Sequence, residues 1–204
     1  MADYFALLNE PRRPWLDLEA LKQKFISLSA EFHPDHVHNA SPSEKDRAHI
    51  RSTSLNDAYR CLRDPKERLR HLLELELGAK PKDIQSIPPD LMELFLEVSQ
   101  LCRQTDAFLF EKRAAVSPLV QVQMFEQSQD WTEKLMALQK RLNSRLEALE
   151  TELEAIDAAW TAVEKQETPA RSATLHRLEE VYRLFSYFAR WGGQLQERIV
   201  QLAF

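Results

Sequence analysis

The chain has 204 residues and a formal net charge of −5, with 27 Lys+Arg set against 32 Asp+Glu. Its three glycines, Gly78, Gly192 and Gly193, are too few for tight hairpins or a glycine-rich nucleotide loop, whereas Leu, Glu, Ala, Arg and Gln, all good helix formers, dominate, so the composition predicts an all-α fold. Residues 1–88 carry 14 basic and 14 acidic side chains and residues 89–204 carry 13 and 18, so neither half offers the clustered cations by which a nucleic-acid binder neutralises phosphates.

The first residues, "MADYFALLNEP", are acidic at Asp3 and Glu10 and too short in their apolar run for a signal peptide, and no stretch reaches the length of a membrane span. The expectation is a soluble, cytoplasmic protein. After a short apolar turn (Tyr4, Phe5, Leu7, Leu8), "DLEALKQKFISLSAEF" reads as a helix capped by Asp17. Its apolar stripe comprises Leu18, Leu21, Phe25, Leu28 and Phe32. Pro34 ends it, because proline disfavours helical geometry in the residue before it and lacks a donor N–H. A second helix opens at Ser41, with Pro42 at its first position and Glu44 placed to complete a capping box. Ala48, Leu55, Ala58, Tyr59 and Leu62 mark its core face, and "PKERLRHLLEL" follows as a shorter helix ended by Gly78.

Residues 78–90 hold three prolines with little periodicity and read as a linker between an N-terminal domain, 1–77, and a helical domain, 91–204. The latter opens with an amphipathic helix presenting Leu91, Phe95, Val98, Cys102 and Phe108 on one face. Ser117-Pro118 opens a much longer one. Along it Trp131, Leu135, Leu138, Leu142, Leu146, Leu149, Leu153, Ile156, Trp160 and Val163 step 4-3-4-4-3-4-3-4-3, a heptad seam with one stutter. Thr168-Pro169 breaks it, and residues 175–202 form a return helix, making an elongated three-helix bundle or a coiled-coil hairpin with a third helix at its base. Cys61 and Cys102 sit inside apolar helical patterns and read as buried, reduced thiols.

The densest cluster of polar chemistry is "EFHPDHVHN", residues 31–39. Its three histidines do not read as a metal site: Pro34 prevents the helical spacing that zinc motifs use, and no cysteine completes a shell nearby. Nor does it read as an acid–base pair, since the tip of a helical pair offers no water-excluding cleft. No catalytic residue and no cofactor is expected.

A third reading is a presented loop. His33-Pro34-Asp35 between two helices, followed by Asn56, Ala58, Tyr59, Leu62, Asp64, Pro65 and Arg68 in the pattern "N-x-A-Y…L…D-P…R", resembles the J-domain family. "DYFALLNEP", "LDLEALKQKF" and "PPDLMELFLE" narrow the likeness to the HscB (Jac-type) co-chaperones of iron–sulfur cluster assembly. The resemblance implies an antiparallel helix pair with short flanking helices that docks on a DnaK/HscA-type chaperone and stimulates its ATP hydrolysis. It implies that His33 and Asp35 make polar contacts to that chaperone, that Pro34 fixes the loop's direction, and that Lys22 and Lys24 belong to a basic docking face. It also implies that the helical domain carries an IscU-type scaffold as client, with Leu91 and Met92 as contact residues.

Two departures from the family pattern stand out. Ala30 and Glu31 occupy positions where the family tends to have Arg or Lys, and His36 stands where lysine is common. An unperturbed imidazole is mostly neutral at pH 7 and charged below about pH 6, so docking through His36 is expected to strengthen as pH falls. The segment after Met92 also differs, with Leu96, Val98 and Ser99 where charged residues are usual, and about thirty extra residues lengthen the heptad region. A second functional reading therefore stands beside the first: a J-domain protein of another client pathway, whose seam is buried against a second copy as an oligomerising stalk or homodimer rather than within the chain.

Overall fold

The computed structural model describes residues 2–31, 41–81, 87–114, 117–163 and 169–203. It is all-α, with no strand among the described residues. The helices are α1 (Tyr4–Leu7), α2 (Leu18–Glu31), α3 (Pro42–Arg63), α4 (Pro65–Leu77), α5 (Met92–Ala114, entered through a 3-10 turn at Pro89–Leu91), α6 (Pro118–Val163) and α7 (Pro169–Ala203). Two compact units emerge: Met1–Lys82 with Glu150–Tyr182, and Asp83–Leu149 with Arg183–Phe204. A boundary at 78–90 alone would leave all of 91–204 in one unit. Instead, one stretch each of α6 and α7 groups with the N-terminal segment.

In the first unit, helix ends are fixed by the residues that the sequence singles out. Asp17 Oδ1 accepts from the backbone N–H groups of Glu19 (2.9 Å) and Ala20 (3.1 Å). Glu44 reaches back to the backbone N–H of Ser41 at 2.9 Å and to its hydroxyl at 2.7 Å, and this hydrogen bonding holds the Glu44 carboxyl below its ordinary pKa. Asp64 caps α4 through the N–H of Glu67 at 2.9 Å, and Gly78 closes it in the left-handed conformation (φ +67°) that other residues adopt at a cost.

Phe5 and Leu8 of the N-terminal turn are fully buried with Leu21, Leu55, Ala58, Leu62, Leu69, Leu72 and Leu73. Between α2 and α3, Phe25 stacks on Tyr59 with ring centroids 4.3 Å apart. The α2 stripe is narrower than its sequence predicts: Leu21 is buried and Phe25 and Leu28 are half-buried, but Leu18 at the helix start is exposed. Phe32 lies outside the described residues.

Polar side chains secure the segment between α1 and α2. Arg68 is buried, and its guanidinium donates to the carbonyls of Pro14 (2.8 Å) and Leu62 (2.7 Å). Burial lowers its pKa to about 10, with the acidic groups of Glu150, Asp64 and Asp157 acting in the opposite sense, so it stays charged at neutral pH. The Trp160 indole N–H donates to the Arg12 carbonyl at 2.7 Å, and the Arg171 guanidinium lies 4.8 Å from the centre of the Trp160 ring. Arg171 also pairs with Glu76, and Arg13 pairs with the buried Asp157. These bonds are the physical reason that residues 150–182 belong with the N-terminal segment.

In the second unit three helices pack together. Glu97 pairs with Arg141 (2.5 Å) and Phe108 lies against Trp131, so α5 and α6 run antiparallel. Phe95 meets Trp191, Asp106 pairs with Arg198 (2.6 Å) and Lys112 donates to the Leu202 carbonyl (2.8 Å), so α5 and α7 run parallel. Of the predicted α5 face, Leu91, Val98, Cys102 and Phe108 are buried and Phe95 is half-buried, and Thr105 and Leu109 are buried alongside them. Both cysteines are free and buried, and burial pushes the Cys61 thiol up to about 11 and the Cys102 thiol upward as well.

The heptad seam is filled by the chain itself. Leu135, Leu138, Leu142 and Leu149 in the second unit, and Leu153 and Trp160 in the first, are buried, with Trp131, Leu146 and Ile156 half-buried. Of the two sequence readings of the seam, the intramolecular one holds.

Trp160→Ala removes a fully buried ring, its donor to the Arg12 carbonyl and its contact with Arg171. The expected loss is about 3–5 kcal/mol of stability, measured by urea unfolding followed by circular dichroism. A change below about 1 kcal/mol would show that the ring is not what holds the segment.

His71 supplies a pH-dependent term. Its Nε2 accepts from the Tyr4 N–H at 3.0 Å, and its ring lies 4.6 Å from that of Tyr4 and 5.8 Å from that of Phe5. Desolvation lowers its pKa below 6.5, outweighing the nearby carboxylates of Asp3 and Glu74. The unfolded chain therefore takes up this proton first as pH falls through about 6.5, and stability drops across that window until the folded form is protonated too. His71→Gln, which keeps an acceptor without titrating, is expected to flatten the dependence of the urea midpoint between about pH 7.5 and 5.5 relative to wild type. An unchanged slope would exclude His71 as its source.

Candidate functional site

The segment that carries the His-Pro-Asp tripeptide falls between the end of α2 at Glu31 and the capped start of α3 at Ser41. His33, Pro34, Asp35 and His36 lie outside the described residues, as does His38. What the structure places is the pair of helices on either side of that segment. α2 and α3 pack side by side, joined by the Phe25–Tyr59 stack and the buried Leu21, Leu55, Ala58 and Leu62. The α3 cap holds its own start through the Ser41–Glu44 bonds.

The two lysines assigned to the docking face have different surroundings. Lys22 is exposed, 3.6 Å from Glu19 one turn earlier, a weak pairing that leaves its charge in solvent. Lys24 is turned toward the N-terminal segment. Its ammonium pairs with Glu10 at 2.8 Å and donates to the Asn9 carbonyl at 3.2 Å, where Asn9 adopts the left-handed φ of +53°. Lys24 thus ties α2 to the turn after α1, although both lysine side chains remain exposed, Lys22 at 51% and Lys24 at 44%. The two positions are about 200° apart around a helix, so their shared charge does not make a shared face.

Sequence reasoning passes over two apolar residues on this scaffold. Ile26 of α2 and Ile50 of α3 are both exposed although each neighbours a core stripe in sequence. Their signal is one of register: Ile26 falls outside the series Leu21, Phe25, Leu28, and Ile50 outside Leu55, Ala58, Leu62.

The second candidate surface is the start of α5, where the sequence assigns Leu91 and Met92 as a pair. Leu91 is only 6% exposed and is a core residue, which removes it from a contact surface. It lies on the stripe with Val98 and Cys102, and the 3-10 turn sets it inward. Met92 is 41% exposed, and Leu96, one turn on, is 54% exposed. The apolar pair open to solvent is therefore Met92 and Leu96, at i and i+4 on one side of the helix. Leu96 is legible in the sequence once Leu91, Val98 and Cys102 are recognised as the buried series. The Glu97–Arg141 ion pair borders this surface.

Among the described residues no group of three or more His, Cys, Asp or Glu is arranged to hold a metal ion. No helix among them is long and apolar enough to cross a membrane.

The two lysines give a direct test of this geometry. Lys24→Met is expected to lower stability by roughly 0.5 kcal/mol, the partly exposed ion pair with Glu10 being screened, whereas Lys22→Met leaves it unchanged within about 0.2 kcal/mol. Equal losses in urea unfolding would contradict the separate placement of the two side chains.

No family model matches the chain. Similar curated proteins are named "Co-chaperone protein HscB homolog". The one from Neisseria gonorrhoeae (strain NCCP11945) is 34% identical over 93 residues, which is 45% of this chain and 56% of that protein. The one from Bordetella petrii is 42% identical over 72 residues, 35% of this chain and 42% of that protein. The chain thus spans about half the length of the curated relatives it matches. Among solved structures, human co-chaperone protein HscB superposes with a TM-score of 0.59 at 20% identity, covering 96% of this chain and 81% of that one. The chaperone HscB from Vibrio cholerae superposes with a TM-score of 0.51 at 22% identity, covering 95% and 99%. The chain resembles the HscB co-chaperones in sequence over part of its length and shares their all-α fold.

Proposed function

We propose that this chain is an HscB-like J-domain co-chaperone acting in iron–sulfur cluster assembly, which stimulates ATP hydrolysis by a DnaK/HscA-type chaperone and delivers an IscU-type scaffold to it. The observation that carries this reading is the sequence match to proteins named HscB co-chaperones, in a chain whose helices frame an intact His33-Pro34-Asp35. In this reading the protein performs no covalent chemistry. Residues 1–77 form the J-domain and 78–90 the linker. Residues 91–204 form the client domain, although the stretch 150–182 is packed into the N-terminal unit.

Each part of the mechanism has a physical basis. Pro34 fixes φ and so restricts the direction in which the loop leaves α2. His33 and Asp35 supply polar contacts to the chaperone. Lys22 contributes to the long-range attraction that speeds encounter, and the neighbouring Glu19 carboxylate weakens that attraction. His36 adds positive charge only when protonated. Met92 and Leu96 offer the client an apolar contact that is desolvated on binding. The proposed setting is the cytoplasm.

The experiment is ATPase stimulation of the cognate DnaK-type chaperone, with the scaffold present and absent. Wild type is expected to stimulate, and Asp35→Asn is expected to return the rate close to the chaperone's basal level. Met92→Glu combined with Leu96→Glu is expected to retain stimulation without scaffold while losing scaffold binding in a pull-down. Equal stimulation by wild type and Asp35→Asn would remove the loop from the mechanism, and full scaffold binding by the double variant would place the client elsewhere.

A further inference from the structure

α7 runs unbroken from Pro169 to Ala203 through two adjacent glycines, Gly192 and Gly193. Glycine is the weakest helix former after proline, because its backbone loses the most freedom on folding. A left-handed backbone, a close approach by a neighbour or a helix end can require it, and none of these applies here. Among the described residues, the glycine with a positive φ is Gly78. A Cβ added at Gly192 or Gly193 would meet no neighbouring atom within 4 Å, so packing does not need the space. Nor does the pair end the helix, which continues to Ala203.

The pair falls where the anchorage of α7 within the second unit changes. Just before it Phe185, Tyr187, Phe188 and Trp191 are buried, and the Trp191 ring lies 5.5 Å from Tyr187, 5.9 Å from Phe188 and 6.1 Å from Phe95. After it, residues 194–203 bury Leu195 and Leu202. Their remaining ties to α5 are polar. Arg198 pairs with Asp106 at 2.6 Å and donates to the Cys102 carbonyl at 3.3 Å, and Lys112 donates to the Leu202 carbonyl at 2.8 Å. Asp106 is half exposed, so water screens its ion pair. Cys102, against which Arg198 lies, is itself buried.

We propose that Gly192-Gly193 is a built-in break in α7, at which residues 194–203 open as one piece while the helix up to Trp191 stays folded, uncovering the Cys102 thiol. A segment opens locally when it gives up few apolar contacts and regains much backbone freedom. Residues 194–203 meet the first condition, and the two glycines at their base meet the second. The aromatic cluster around Trp191 holds the other side of the break in place. An ordinary helix end frays gradually from its terminus, whereas a break inside the helix makes protection change in one step. This opening requires neither chaperone nor client and stands apart from the function proposed above.

The test follows amide hydrogen exchange and thiol labelling in the full chain under native conditions. In wild type the amides of residues 195–201 are expected to share one level of protection, about tenfold or more below that of residues 185–191. Labelling of Cys102 by an aromatic disulfide reagent, resolved from Cys61 by peptide mass spectrometry, is expected to report the same opening equilibrium. Gly192→Ala combined with Gly193→Ala introduces side chains for which there is room. Each replacement favours the helix about fivefold, so the double variant is expected to slow both readouts about twentyfold. Protection that declines smoothly from Trp191 to Ala203 in wild type overturns the proposal. So does Cys102 labelling that the double variant leaves unchanged.

Discussion

The first unit depends on a buried cation. Arg68 sits in the interior with its guanidinium bonded to the Pro14 and Leu62 carbonyls, and so joins the approach to α2 to the end of α3. Burying a charge is costly unless hydrogen bonds and opposite charge compensate. Two carbonyls and the fields of Glu150, Asp64 and Asp157 provide that compensation. A lysine at this position would offer a point charge without the planar fork that reaches two carbonyls in different directions. Because α2 begins only a few residues after Pro14, this bond also helps set where the proposed chaperone-facing helix starts.

The stretch of chain around Pro14 is held from another side by residues that come much later in sequence. Arg13 and Asp157 are 144 positions apart, and Arg12 and Trp160 are 148 apart. Such contacts impose a large loop-closure cost before they form, and here they combine a buried indole, a backbone carbonyl acceptor and several ion pairs at one place. Cooperation of this kind explains why α6 and α7 are longer than a three-helix bundle with α5 alone would require. Their far portions are core elements of the first unit.

Local features were legible in the sequence because they rest on local physics. Asp17, Ser41 with Glu44, Asp64 and Gly78 act on backbone groups within one turn, and the structure uses each of them at a helix end. The α5 stripe and the heptad seam were legible because periodicity reports which face is buried. It does not report what covers that face, which is why the seam admitted two readings until its leucines were seen to be buried within the chain. The grouping of residues 150–182 with the N-terminus was not legible, since no local pattern couples Arg13 to Asp157. Nor was the division between Lys22 and Lys24, which turns on a left-handed Asn9 that presents its carbonyl to one of them. The tripeptide loop was read from motif alone and lies outside the described residues.

Register separates surface from core more sharply than hydrophobicity does along α5 and α6. Leu91 and Met92 are neighbours of similar apolar character, yet the first belongs to the buried series and the second, with Leu96, faces solvent. On α6, Leu135, Leu138 and Leu142 keep the seam's spacing and are buried, whereas Leu119, Val122 and Phe125 precede it and are exposed. A random loss of pattern would scatter exposed apolar residues along both helices. Most of them instead lie at two places, Met92 and Leu96 at the start of α5, and Phe110, Leu119, Val122 and Phe125 toward its other end, about 27 Å away along α5 at 1.5 Å per residue between Met92 and Phe110, while Met136 is exposed midway along α6.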